Sequence, residues 1–352
     1  MISSKINDGL NGSPLIPGDK SISHRSIIIP SISNGVSEIN NYLKSDDVLN
    51  TISAFKEMGV KIEESGKKII IFGNGLNSLK KPNKEIYLGN SGTSARLLTG
   101  LLSSQNFSSV LTGDSSLSSR PMKRISDPLT SMNAKIITEE GHLPLKIEGT
   151  NLRNSVIEIK IPSAQIKSGV ILAALNTSGV TKIIEHNITR DHTEIMLEAF
   201  GAEIFTRKEN TKKIIEINGK KELISKNIDV PSDLSSSAFF IVAGLIHSNS
   251  KLLLKNININ PTRTGLLTAL QKMGAKIDLI NKRISNNEHI CDIEVLSSDL
   301  QGCELGPDIA KLMIDEYPIL SIAASFAKTP SVFRGLGELR VKESDRLKLI
   351  NT

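Results

Sequence analysis

An internal repeat constrains this chain more than any single motif. Four segments share one ending: Phe55-Lys-Glu-Met-Gly59-Val-Lys-Ile62, Leu129-Thr-Ser-Met-Asn133-Ala-Lys-Ile136, Leu197-Glu-Ala-Phe-Gly201-Ala-Glu-Ile204 and Leu270-Gln-Lys-Met-Gly274-Ala-Lys-Ile277. Positions 59, 133, 201 and 274 lie 74, 68 and 73 residues apart. Each is Gly or Asn, the residues that best tolerate the left-handed conformation after a helix. A helical pattern precedes each, and an extended, partly alternating segment follows, such as Lys68–Phe72 or Lys213–Ile217.

A second kind of helix precedes each of these outer helices. It starts polar and turns apolar on nearly every face: Ser21–Ser33, Ser91–Ser103, Ser163–Leu175, Ser235–Ile246 and Pro318–Ala327. Apolar residues all round predict a buried helix. Each unit of roughly 70 residues therefore reads as buried helix, strand, outer helix, strands. A fifth unit shows its buried helix, the strand Ser331–Phe333 and the start of an outer helix over Arg340–Ile350.

Composition narrows the partners. The chain has 352 residues, 39% hydrophobic and 23% charged, enough for two domains with full cores. Net charge is +6, aromatic content is 3% and there is no Trp. The basic residues are dispersed, many in pairs such as Lys67-Lys68 and Lys212-Lys213, without the patch and stacking aromatics of a nucleic-acid binder. No nucleic-acid partner is expected, whereas a modest positive field suits small anions. Cys291 and Cys303 match no zinc or redox spacing and fit a reducing compartment. The longest apolar run, Ala238–Ile246, is nine residues, and the N-terminus has no signal-peptide core, so a cytoplasmic protein without a membrane span is expected. The six histidines show no metal-ligand spacing, and no Gly-x-Gly-x-x-Gly opens a strand–helix turn, so neither a metal nor a nicotinamide cofactor is expected. The chain has no Gly-x-Ser-x-Gly elbow.

Reactive side chains recur at two places in each unit. The buried helices begin with Lys20-Ser21-x-x-x-Arg25, Asn90–Thr93, Ser163-Ala164-Gln165-x-Lys167, Asp233–Ser237 and Asp315–Tyr317. The loops before the outer helices carry Lys44–Asp47, Arg120–Arg124, Thr189–His192, Pro261–Thr264 and Arg340–Arg346. Polar helix starts with cations make a cradle for phosphate and carboxylate groups. The competing reading of each Ser or Asp is an ordinary helix cap, with Ser21 or Ser23 capping the first helix. Asp315 as a cap, and Glu343/Arg346 as a surface pair three apart, are the corresponding plain readings.

Eight stretches in order carry a family resemblance: Pro17–Arg25, Gly89–Arg96, Gly113–Met122, Ser163–Ser168, Thr189–Glu194, Asn260–Gly265, Ile314–Ile319 and Leu339–Leu347. Together they resemble the 5-enolpyruvylshikimate-3-phosphate (EPSP) synthase family across the whole chain. The related UDP-N-acetylglucosamine enolpyruvyl transferases carry a Cys in the loop that here reads Gly113-Asp-Ser-Ser-Leu-Ser-Ser119, and this disfavours that alternative. A non-catalytic module binding phosphorylated metabolites is the other alternative.

The resemblance implies a two-domain inside-out α/β barrel of βαβαββ units, about five of six being present. One discontinuous domain would comprise 1–14 and 229–352, and the other 15–228. Members of the family continue past the equivalent of Thr352, so the chain is expected to be C-terminally shortened, with an apolar face exposed where a sixth unit packs. The implied reaction joins the 5-hydroxyl of shikimate 3-phosphate to C2 of phosphoenolpyruvate while C3 takes a proton, then expels phosphate and a C3 proton. It requires no metal or cofactor, and the protein is expected to be a monomer.

Matched motif by motif, Lys20 would lie between the two substrates and assist proton transfer. Ser21, Arg25, Ser163, Ala164, Gln165, Arg190 and Lys342 would bind shikimate 3-phosphate, with Ala164 standing where some relatives have Ser. Asp315 would accept the 5-hydroxyl proton, with Lys342 steering it. Glu343 would handle the proton at C3. Gly92, Arg120, Gln165 and Arg346, with Lys20, would bind phosphoenolpyruvate. Gly92 leaves its site open, so glyphosate sensitivity is expected.

Overall fold

The structure is a computed structural model that describes residues 8–66, 68–341 and 344–351. It divides into two units, 20–230 and 1–19 with 231–352. The seams lie at Asp19/Lys20 and Val230/Pro231, against the expected 14/15 and 228/229.

The repeat is realised four times as a four-stranded sheet of one topology. A short strand runs parallel to the next, and two antiparallel partners follow. The third repeat shows it without interruption: Val156–Ile159, Val180–Glu185, Lys212–Asn218 and Glu203–Glu209, in that order across the sheet. The second repeat has Ile86–Tyr87, Ser108–Thr112, His142–Glu148 and Lys135–Glu139. In the first repeat the short strand comes from far along the chain: Ile228–Asp229 pairs with Asn34–Asn40, beside Lys68–Asn74 and Lys61–Ser65. In the fourth repeat it comes from the beginning, Asn11–Gly12 pairing with Lys251–Asn258, beside Glu288–Leu296 and Lys276–Ser285. These two borrowed strands explain why each unit's seams fall where they do. The fifth repeat contributes the parallel pair Glu304–Leu305 and Val332–Phe333.

The predicted punctuation has a common atomic form. Gly59, Asn133, Gly201 and Gly274 have φ of 82, 73, 88 and 84°. The N–H after each reaches back to the carbonyl five residues earlier: Val60 to Phe55, Ala134 to Leu129, Ala202 to Leu197 and Ala275 to Leu270, at 2.9–3.0 Å. The Gly or Asn N–H bonds the carbonyl three residues before it in all four cases. This is the Schellman closure, which satisfies otherwise orphaned helix carbonyls.

In unit 20–230 the helices Lys20–Ser31, Gly92–Ser103 and Ala164–Ala174 pack on one another inside the sheets. Ile27, Ile28, Leu97, Leu98, Val170 and Ile171 are essentially inaccessible and form one core. Leu234–Ile246 and Tyr317–Ser325 pack together in the other unit, around their own core. Their expected burial on every face is corrected here. Phe239 and Phe326 are each 60% exposed, and Phe240 and Ile322 are also open. Two mutually packed helices leave each other an outer flank, where three close a triangle.

Candidate active site

Each buried helix of unit 20–230 presents candidate residues at its N-terminus. Lys20 opens the first helix, one residue before the expected Ser cap. Ser21 is half-buried, and Ser23 instead accepts the Leu43 N–H at 2.9 Å. Lys20 Nζ pairs with Asp47 at 2.5 Å. Asp47 lies in the first turn of the first outer helix, Asp46–Glu57, so the two helix starts of that repeat meet through this pair.

Arg25 is buried, and its guanidinium is directed from three sides. Nε donates to Thr193 Oγ1 at 2.7 Å, Nη2 to Ser168 Oγ at 2.8 Å and Nη1 to the Ser21 carbonyl at 2.8 Å. Ser168 lies three residues after Gln165, and Thr193 three after Arg190. Arg25 therefore connects the helix starts that carry Lys20, Gln165 and Arg190.

The Gly92 corner is equally connected. Ser91 caps its helix, accepting the Ser94 N–H. Arg96 donates to the Gly92 carbonyl at 3.1 Å and to Gln165 Oε1 at 2.9 Å, while Gln165 Nε2 donates to Thr93 Oγ1 at 2.9 Å. Arg120 donates to the Asn90 side chain, to Ser116 Oγ at 3.3 Å and to the Asn90 carbonyl at 3.4 Å. A Cβ on Gly92 would lie 2.7 Å from Arg96 Nη1 and 3.2 Å from Arg120 Nη1. Two guanidiniums suited to anions thus converge on one glycine, and Gln165 is bonded to one of them. Ser163 is the cap of Ala164–Ala174, accepting the Ile166 N–H at 3.4 Å, with Ala164 as the first helical residue. The plain reading of the Ser residues as caps is correct for Ser91 and Ser163. A hydroxyl used this way still has its own proton to donate.

In the other unit, Asp315 is not a cap. The residue before the helix Tyr317–Ser325 is Glu316, and no side chain caps that helix. Asp315 Oδ1 instead accepts from Arg346 Nη1 at 3.3 Å. Beside it lies a buried cluster: Arg263 donates to Asp19 and to Ser235 Oγ, and Ser235 donates to Glu316. Burial opposes the Arg263 charge, but Asp19, Asp233 and Glu316 outweigh it and hold the guanidinium firmly protonated. Lys342 and Glu343 lie outside the described residues.

Several contributors were present in the sequence motifs without an assigned role: Arg96, Asp47, Lys167 and Arg263. Arg96 sits four residues after Gly92, one helical turn on, and that spacing was the available signal.

The chain matches the EPSP synthase (3-phosphoshikimate 1-carboxyvinyltransferase) family over residues 5–352. It belongs to the EPSP synthase family. It is 47% identical over 347 residues to the 3-phosphoshikimate 1-carboxyvinyltransferase of Ruthia magnifica, covering 98% of this chain and 79% of the relative. The corresponding enzyme of Bacillus cytotoxicus is 43% identical, with 97% and 80% covered. Among solved structures, an EPSP synthase from Acinetobacter baumannii superimposes with a TM-score of 0.89 at 44% identity, covering 98% of this chain and 78% of that one. The enolpyruvyl transferase NikO from Streptomyces tendae shares the fold, with a TM-score of 0.70 at 17% identity and coverage of 93% and 76%. The fold is therefore the enolpyruvyl transferase fold.

Burial raises the thiol pKa of both cysteines of this EPSP synthase family member. Cys291 is buried in the terminal unit, and burial pushes its thiol up to about 11. The 113–119 loop is occupied by the short helix Ser115–Ser118, capped by Asp114. No helix among the described residues is long and apolar enough to cross a membrane.

Proposed function

We propose that this chain transfers the enolpyruvyl group of phosphoenolpyruvate to the 5-hydroxyl of shikimate 3-phosphate, giving 5-enolpyruvylshikimate 3-phosphate and phosphate. Family membership supports the reaction. The observation that carries the residue assignment is the convergence of Arg96 and Arg120 on Gly92, with Gln165 bonded to Arg96. That corner takes the carboxylate and phosphate of phosphoenolpyruvate, with Lys20 assisting. Arg346 is assigned to the same substrate. Ser21, Arg25, Ser163, Ala164, Gln165 and Arg190 hold shikimate 3-phosphate, joined by Lys342.

Three steps follow. First, Asp315 accepts the proton of the 5-hydroxyl as its oxygen attacks C2, and Glu343 delivers a proton to C3. Second, the cations hold the tetrahedral adduct, in which C2 carries the new C–O bond and the phosphate. Third, the C2–O bond to phosphate breaks, Glu343 takes back a C3 proton, and the proton held by Asp315 passes to the leaving phosphate. Positioning two anions against each other is the larger part of the task, and preformed guanidinium contacts reduce its entropic cost. The protein acts on soluble metabolites as a cytoplasmic monomer.

Steady-state phosphate release from the two substrates tests this function, with light scattering to give the oligomeric state. Binding of both substrates without turnover would favour the metabolite-binding alternative. Turnover of UDP-N-acetylglucosamine instead would overturn the substrate assignment.

A further inference from the structure

A buried ionic cluster lies beneath the loop that carries Arg190, and no step above uses it. Lys167 is 0% exposed, and its ammonium has acceptors on three elements. Glu185 Oε2 lies at 3.0 Å, at the end of the strand Val180–Glu185, and Glu194 Oε1 at 2.9 Å, in the helix His192–Ala199. The carbonyl of Thr189, within the loop, lies at 3.3 Å. An ammonium has three protons, and these three acceptors match them. The Thr189 hydroxyl donates to the second oxygen of Glu185 at 2.5 Å. On the other side of Arg190, Asp191 pairs with Lys213 at 3.3 Å, and Lys213 also reaches Glu194 at 3.3 Å.

We propose that Lys167 is a positioning residue for Arg190, and hence for recognition of the phosphate of shikimate 3-phosphate. The inference rests on the reading of Arg190 given above. Both chain neighbours of Arg190 are fastened into one buried network, Thr189 through Lys167 and Glu185, Asp191 through Lys213. Lys167 stands on the same helix as Gln165, two residues on, so the network sets the Arg190 loop against the helix start that faces the same substrate. A buried ionic cluster is a poor source of net stability, because desolvation offsets the attraction. Orientation is where such a cluster has value. A guanidinium–phosphate contact depends on the direction of its fork, and the backbone at Arg190 sets that direction.

The test is calorimetric titration of shikimate 3-phosphate into the whole chain, with thermal melting of each variant. Lys167→Met alone strands two buried carboxylates, so Lys167→Met is combined with Glu194→Gln to remove one of them. The combined variant should recover most of the melting temperature yet bind shikimate 3-phosphate roughly tenfold more weakly, each tenfold being about 1.4 kcal/mol. Thr189→Val should weaken binding about threefold to tenfold, and Thr189→Ser, which keeps the hydroxyl, should restore it. Arg190→Ala should weaken binding more than any of these. Parental affinity in Thr189→Val and in the combined variant, with weakened Arg190→Ala, overturns the role of Lys167 alone. Affinity lost only in proportion to folded protein also overturns it. If the combined variant does not fold, parental affinity in Thr189→Val is decisive against it. Parental affinity in Arg190→Ala overturns the underlying assignment of Arg190 instead.

Discussion

Gly100 lies within the helix Gly92–Ser103, where propensity alone favours Ala by about 1 kcal/mol. The structure predicts that Gly100→Ala destabilises nonetheless. A Cβ at this position would lie 1.9 Å from the carbonyl oxygen of Gly169, 2.5 Å from its carbonyl carbon and 2.8 Å from its Cα. All three are backbone atoms of Ala164–Ala174, so no side-chain rotation relieves the clash. Ordinary contact requires about 1.5 Å more separation between the two helices, and a gap of roughly 0.5–1 Å already forfeits a quarter to a half of the dispersion well for facing atoms. Overpacking costs about 1–3 kcal/mol, and a clash between rigid backbones belongs at the upper end. Subtracting the propensity gain leaves about 2 kcal/mol, or roughly 4–8 °C in melting temperature for a unit of this size. The same opening separates Arg96 from Gln165, so phosphoenolpyruvate affinity should fall as well. Calorimetric melting of the parent and Gly100→Ala checks the first effect. A variant melting at or above the parent would refute the reasoning, because propensity would then have outweighed the helix contact.

Asp315→Ala should lower turnover by about two to four orders of magnitude with an unchanged circular dichroism spectrum, as loss of a general base requires; near-parental turnover would remove that role. Gly92→Ala should fold normally, because the close contacts of its Cβ are the ends of the Arg96 and Arg120 side chains, and Leu117 lies at ordinary contact distance. It should weaken both phosphoenolpyruvate and glyphosate, and equal inhibition constants in the two proteins would exclude the glyphosate part. Glu194 and Glu185 share Lys167 but should respond to pH with opposite sign. Burial works against the Glu194 charge, yet Lys167 and Lys213 together hold its carboxyl below the ordinary 4.5. Its stabilisation is present above that value and lost as pH falls through the folded one. Burial pushes the Glu185 carboxyl up, with Lys167 offsetting only part of it, so its contribution is present below 4.5 and lost as pH rises through the folded value. In urea melts, Glu194→Gln should cost stability at pH 7 with the cost shrinking toward pH 4. Glu185→Gln should cost less at pH 7, and equal losses from the two would contradict the assignment.

The sequence revealed what depends on neighbours along the chain. Schellman closures need a local pattern, here Met-Gly, Met-Asn or Phe-Gly followed by a small apolar residue, so four helix ends were visible before any fold was known. Buried helices showed themselves by apolar residues on every face, although Phe239 and Phe326 follow that pattern and are exposed. Burial is a property of what packs against the helix, and the helix's own sequence does not contain it. Asp19, the residue before the first helix, is bonded to Arg263 across 244 residues of sequence. No local pattern reports such a pairing. Lys167 was hidden for the same reason. Its partners come from a strand end, a loop carbonyl and a second helix, and their convergence exists only once the repeat is folded.

That difference bears on how such a site is assembled. The repeat supplies the same helix start several times over, and a bare helix start recognises anions without discrimination. Discrimination needs each cation aimed, and the aiming is done by contacts that differ from repeat to repeat. Arg25 is aimed by Thr193 and Ser168, Arg96 by Gln165, Arg120 by Asn90 and Ser116, and Arg190 by its anchored neighbours. The residue types that make these contacts differ from repeat to repeat. Symmetry therefore accounts for where the charges gather, and the departures from symmetry account for which two anions they fit. A variant that restores the repeat pattern at one of these positions should keep the fold and lose the substrate.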